Sequence, residues 1–124
     1  MMQPNCLICQ LNTSKKFVVE ESEFWQIDNP ANFDFPGLFF IKTKRHIESL
    51  DDLSPEEARE IGSFIKKYAK KSKNISHAER VLAMSLGLSE PHIHFWILPK
   101  TLENGEQVME ISKAIKKLVG RNKS

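Results

Sequence analysis

Two groups of residues in this 124-residue sequence have the types and spacing to do chemistry. The first is the run His92-Ile-His94-Phe-Trp96-Ile-Leu98. Side chains of a strand alternate between faces, so residues 92, 94, 96 and 98 share one side, ~6–7 Å apart at each step of two. A lone buried histidine is most often satisfied by backbone carbonyls. Two on one half-buried face lose hydration and repel each other when charged, so the pairing is expected where a ligand, a metal or a reaction uses them. An imidazole with one nitrogen held by a hydrogen bond presents the other as a neutral nucleophile. A phosphate ester is a natural target, because attack would form a phosphohistidine and split one displacement into two. The second group is Cys6-Leu-Ile-Cys9. A disulfide there would close a tiny loop and constrain little of the unfolded chain, so metal or redox chemistry is the better reading. Two thiolates supply half of a tetrahedral zinc site, and histidines are the available partners. The alternative is a pair of unligated thiols with His46 on the surface.

These side chains need a sheet to hold them. The segments KFVVE (16–20) and FWQID (24–28) are rich in aromatic and β-branched residues and are separated by Glu21-Ser22-Glu23, which predicts a hairpin. Pro36-Gly37 breaks the chain before LFFIK (38–42), a buried strand. In LSPEE, Ser54 is an N-cap, Pro55 takes the first helical position and Glu57 follows three residues after the cap, so a helix starts at Pro55. Ala58, Ile61, Ile65, Tyr68 and Ala69 fall on one face of it up to about Lys71, with lysines opposite. After the polar stretch KSKNISHAE, in which His77 reads as solvent-exposed, come a strand RVLAMSL (80–86), a turn at Gly87, and the histidine strand 92–98 bounded by Pro91 and Pro99. A last helix near 104–119 would place Val108, Ile111, Ile115, Leu118 and Val119 on one side. The expected fold is α+β: an antiparallel sheet of about five strands with a long central helix and a C-terminal helix.

The length suits one domain over residues 1–124. A composition of 40% hydrophobic and 27% charged residues, with no apolar run near the ~20 residues that span a bilayer, implies a soluble protein without a membrane segment. The N-terminus lacks a basic leader and a long apolar stretch, so the expected compartment is the cytoplasm. The net charge of +2 makes no case for a nucleic-acid partner, and the lysines at 66–73 and the basic residues at 113–123 read as solvated helix faces.

The segment HIHFWILPK, preceded by LGLSEP and joined to FPGLFFIKTKRHIESLDDLSPEE upstream, resembles the histidine triad (HIT) superfamily of nucleotide hydrolases and transferases. The likeness runs from Cys6 to the last strand. The family pattern is His-x-His-x-His followed by apolar residues; His92 and His94 match its first two histidines, and Trp96 stands at the third. The resemblance implies that His94 attacks the α-phosphate of a nucleotide conjugate, such as a phosphoramidate or a dinucleoside polyphosphate, through a nucleotidyl-histidine intermediate, with His92 shaping and polarising the site. It also implies substrate contacts from Gly87, Ser89 and Trp96, and a homodimer. In cysteine-bearing relatives a position like His46 joins the first triad histidine on a structural zinc, which would give Cys6, Cys9, His46 and His92 here; no catalytic metal is required. Tryptophan supplies only one N–H donor and nothing that titrates near neutrality. The galactose-1-phosphate uridylyltransferase branch has a glutamine at that position, so a titrating group there is dispensable for nucleotidyl transfer. A nucleotide-binding or zinc-stabilised module with weak or no catalysis is the alternative. Lys100 replaces the family's usual arginine and keeps the charge without the bidentate fork.

Overall fold

The computed structural model describes residues 3, 5–30, 35–85, 90–101, 104 and 106. Five strands, β1 (Val18–Glu21), β2 (Trp25–Asp28), β3 (Phe39–Thr43), β4 (Arg80–Met84) and β5 (His94–Lys100), form one sheet in the order β1-β2-β3-β5-β4. Every neighbouring pair is antiparallel. Two helices accompany it, α1 (Leu7–Ser14) and α2 (Pro55–Ser76). The expected α+β architecture is therefore present, while of the C-terminal helix expected at 104–119 only residues 104 and 106 are described and the rest lies outside the described residues.

The alternation of side chains divides the sheet into two chemically different faces. Trp25, Ile27, Phe39, Ile41 and Ile97 point to one side and meet Tyr68 of α2, with Ile61, Phe64 and Ile65 packed around them. Each such burial is worth roughly 1.5–3 kcal/mol, so this face supplies most of the cohesion. On the other face the register lines up Gln26, Lys42 and His94 in one row and Asp28, Phe40, Trp96 and Met84 in the next. That second face carries the polar residues and the candidate site.

Helix α2 begins where the sequence places it. Ser54 and Glu57 form a reciprocal capping box, and Glu57 also takes Arg45 through both carboxylate oxygens at 2.7 and 3.0 Å. The Trp25 indole N–H donates to the Glu57 carbonyl at 3.1 Å, tying the helix start to β2. The helix continues to Ser76, five residues past the expected end at Lys71. A tertiary contact explains the extension: buried Ser72 donates to the Gly37 carbonyl at 2.6 Å, so a stretch that reads as a polar connection is held against the loop before β3. His77 then ends the helix in the left-handed conformation and is exposed, as expected.

Two further differences have physical causes. The histidine strand starts at His94 rather than His92 and runs through Pro99 to Lys100. Pro99 is tolerated because pairing with β3 stops at Ile97, so the missing N–H is not needed on that side. Helix α1 was not anticipated. It is one short element, capped by a cysteine side chain, and its placement depends on contacts made by distant residues. Among the described residues no helix is long and apolar enough to cross a membrane.

Candidate functional site

The site is assembled by three segments that converge at one end of the sheet. The chain leaving β3 runs alongside the chain entering β5: Thr43 N–H donates to Ile93 O at 3.2 Å, and Ile93 N–H donates to Ile47 O at 2.9 Å. This ladder brings His46 against His92, with ring centroids 5.1 Å apart and planes nearly perpendicular at 87°. Helix α1 covers them from the second face of the sheet, where Cys6, Ile8 and Cys9 pack with Phe40. Asn12 anchors the helix by donating to the Thr43 carbonyl at 2.9 Å.

The ligating atoms of Cys6, Cys9, His46 and His92 lie within 4.8 Å of one another. His92 Nδ1 is 3.3 Å from Cys6 Sγ and 3.5 Å from Cys9 Sγ, and His46 Nδ1 is 3.4 Å from Cys9 Sγ. In a tetrahedral zinc site with ordinary bond lengths, a sulfur and a nitrogen sit ~3.6 Å apart. The three observed separations match that edge. The outer nitrogens make the same point independently. His92 Nε2–H donates to the Thr43 carbonyl at 2.8 Å, and His46 Nε2–H donates to the Glu48 carboxylate at 2.9 Å. Both rings are thereby set in the tautomer that turns an Nδ1 lone pair toward the sulfurs, the outer-shell pattern of metal-bound histidine. Two sulfurs and two imidazole nitrogens are a donor set suited to zinc. The four residues named from the sequence are thus brought together.

His94 stands apart from this tetrad. Its Nδ1–H donates to the carbonyl of His92 at 2.5 Å, which leaves Nε2 as the lone-pair nitrogen. His92 is completely buried, whereas His94 keeps 8% of its surface exposed. Burial pushes the pKa of His92 down to about 4 and also lowers that of His94, against the opposing effect of their backbone hydrogen bonds. Both are neutral at physiological pH. The His94 ring rests edge-on against Phe40 at 5.1 Å, and Trp96 stacks on the same phenyl ring at 4.3 Å and 20°. Trp96 is partly buried and packs against the cluster of Cys6, Ile8, Cys9 and Phe40, on the same face of the sheet as His94. Gly87 and Ser89 lie outside the described residues.

Several residues of this arrangement were not singled out from the sequence. Thr43 acts through its carbonyl, for which no side-chain signal exists. Glu48, two residues after His46, could have been found as a carboxylate close to a histidine. Lys42 and Asp28 form a fully buried ion pair at 2.5 Å in the rows beside Phe40 and His94. Burial lowers the pKa of Lys42, with Asp28 opposing the shift.

The sequence matches no protein-family model and no curated protein. Solved structures give a different answer. A HIT family protein from Bacillus anthracis str. 'Ames Ancestor' superposes with a TM-score of 0.69 at 20% identity, covering 92% of this chain and 96% of its own. The chain has the fold of HIT family proteins. A hypothetical histidine triad nucleotide-binding protein from Sulfolobus tokodaii strain7 is similar with a TM-score of 0.65 at 18% identity, over 78% of this chain and 70% of that one. A HIT family hydrolase from Legionella pneumophila Philadelphia 1 is similar with a TM-score of 0.56 at 20% identity, over 76% and 91%. At these identities the HIT likeness is one of fold, and the side chains must carry the rest.

Proposed function

We propose that this protein binds a nucleoside phosphate conjugate, a phosphoramidate or a dinucleoside polyphosphate, and cleaves it with His94 as the nucleophile. The observation that carries the reading is the hydrogen bond from His94 Nδ1–H to the His92 carbonyl at 2.5 Å. It fixes the tautomer, so that in the neutral ring Nε2 is left unprotonated, the form an imidazole nucleophile requires. Nε2 attacks the α-phosphorus as the bond to the leaving group breaks. Water then cleaves the resulting phosphorus–nitrogen bond and regenerates the imidazole. Trp96, on the same face as His94, would contact the substrate together with Gly87 and Ser89. The fold neighbours that are a nucleotide-binding protein and a hydrolase support this substrate class.

Cys6, Cys9, His46 and His92 would hold a structural zinc, with His92 as a ligand through Nδ1. The metal's contribution is to cross-link α1 to the ends of β3 and β5; the reaction at His94 needs no metal. The proposal includes a single HIT-like domain over residues 1–124 that acts as a cytoplasmic homodimer, which light scattering during size-exclusion chromatography would check. The decisive experiment is a mass measurement after brief exposure to an activated adenylate. An adenylyl adduct is expected on the wild-type chain and not on His94→Ala. A second reading, a binding module without efficient chemistry, is favoured by Trp96 alone. Nucleoside monophosphate binding with no adduct and no turnover would select it.

A further inference from the structure

We propose that Cys6 and Cys9 form a peroxide-responsive dithiol whose oxidation to a disulfide empties the metal centre and releases His94 from its aimed state. The consequence for His94 rests on reading it as the nucleophile; the thiol chemistry does not.

The two sulfurs occupy the N-cap and the third position of α1, one helical turn, and the Cys9 backbone N–H donates to Cys6 Sγ at 3.4 Å. Cys-x-x-Cys at the start of a helix is the spacing of dithiols that cycle between thiol and disulfide. Both sulfurs here touch the same atom, His92 Nδ1, at 3.3 and 3.5 Å, and both are free thiols. They are no more than 4.8 Å apart, and a disulfide closes them to about 2.05 Å. Side-chain rotation within one turn of helix covers that distance. Once bonded to each other the sulfurs are no longer thiolates, and the two remaining imidazoles are too few for a four-coordinate structural site. Metal binding and disulfide formation are therefore exclusive.

His92 carries the change to the neighbouring ring. Its side chain is held on one edge by the cysteines and on the other by the Thr43 carbonyl, and its own carbonyl fixes His94 Nδ1. Asn12 of α1 shares that Thr43 carbonyl, so movement of the helix reaches the same point. The cysteine pair thus sits two hydrogen-bonded steps from the nitrogen that presents the nucleophile.

The reaction balances with hydrogen peroxide as oxidant. Cys6, buried but at 6% exposure less deeply than Cys9 at 1%, attacks one peroxide oxygen; the O–O bond breaks, and the departing hydroxide leaves as water, giving a sulfenic acid on Cys6. Cys9 then attacks the Cys6 sulfur, the S–O bond breaks and a second water leaves. The sulfurs lose two electrons, the peroxide gains them, and two protons come from the thiols or, for metal-bound thiolates, from solvent.

The test uses zinc-loaded wild-type protein exposed to hydrogen peroxide with a chromophoric zinc chelator, followed by intact mass and by nitrogen-15 NMR of the histidine rings. The expected result is loss of the mass of two hydrogens, release of one zinc per chain on the same time course, and a change of the His94 ring from one tautomer to an exchanging mixture. A dithiol reductant with zinc should restore all three. Thiols that stay free, a disulfide formed with zinc retained, or His94 signals that do not move while zinc leaves would each overturn the proposal. Cys9→Ser should stop at the sulfenic acid; should that variant not fold, the reversible wild-type time course decides alone. Absence of an adenylyl adduct on the untreated protein would count against the nucleophile and leave the mass and zinc results standing.

Discussion

Replacing Glu48 by alanine isolates the outer shell of the proposed metal site. The Glu48 carboxylate accepts from His46 Nε2–H at 2.9 Å, but its side chain is 59% exposed, so water can take over as acceptor when it is removed. Outer-shell partners of metal-bound histidine are worth roughly 10–100-fold in affinity. Replacement by water puts Glu48→Ala at the low end, about tenfold or about 1.4 kcal/mol. His92 has no such substitute, because its acceptor is the carbonyl of completely buried Thr43. Zinc affinity measured by competition with a chelating dye should therefore fall about tenfold in Glu48→Ala. With zinc in excess, stability against urea should drop by about 1.4 kcal/mol, while the metal-free forms of the two proteins should agree within about 0.5 kcal/mol. An affinity that does not change would mean that Glu48 does not set the His46 tautomer. A loss well beyond 100-fold would mean that the carboxylate itself binds the metal, and the four-ligand assignment would then be wrong.

Three other perturbations test the scaffold around the site. Lys42→Met strands the buried Asp28 carboxylate and should destabilise the protein by about 3–5 kcal/mol, whereas Lys42→Met combined with Asp28→Leu should recover most of it; equal losses in urea unfolding would show that the pair is not the cause. Gly37→Ala forces a side chain onto a backbone at φ +90°, with a Cβ only 3.0 Å from the Ser72 carbonyl, and should cost about 1–3 kcal/mol; an unchanged unfolding midpoint contradicts this. For Glu57, burial alone would raise the carboxyl pKa, but Arg45 and the Ser54 N–H outweigh it and the net shift is downward. Its contribution is therefore fully present above the ordinary carboxylate range and is lost as pH falls through the lowered folded value. The stability gap between wild type and Glu57→Gln should be open at neutral pH and close in acid, and a gap independent of pH would remove Glu57 as the titrating group.

What could be read from the sequence was what depends on local pattern. The Ser54-Pro55-Glu57 signature marks the start of α2 because capping is a short-range geometry, and the apolar run LFFIK and the alternation in HIHFWIL mark strands because strand patterning is local. Ser76 as the end of α2 was not visible, since the Ser72 bond to Gly37 joins residues 35 positions apart. Helix α1 was missed because an eight-residue segment has little helical preference of its own, and what holds it is Asn12 on Thr43 and the cysteines on the histidines. The cysteine–histidine tetrad could be named from residue types and the family likeness. The main-chain atoms that tune it, the carbonyls of Thr43 and His92, belong to no residue type and leave no trace in a sequence.

On the proposed reading of the site, Trp96 bears on which bond it would cleave most readily. A phosphoramidate releases an amine, which must gain a proton as the phosphorus–nitrogen bond breaks. A dinucleoside polyphosphate releases a nucleoside phosphate that departs as a stable anion. An indole has one N–H donor and does not titrate near neutrality, so position 96 cannot supply that proton. General acid catalysis is typically worth 10²–10⁴-fold. With His94 as nucleophile and tryptophan in this position, the expected preference is for phosphoanhydrides over phosphoramidates of amines. The Trp96→His variant should raise phosphoramidate cleavage by up to about that factor and move phosphoanhydride cleavage far less. Because Trp96 also stacks on Phe40, Trp96→Phe serves as the control for lost packing and should raise neither rate. Equal acceleration of both substrate classes by histidine would show that position 96 acts by contacting the phosphate rather than by protonating the leaving group, and this account of selectivity would fail.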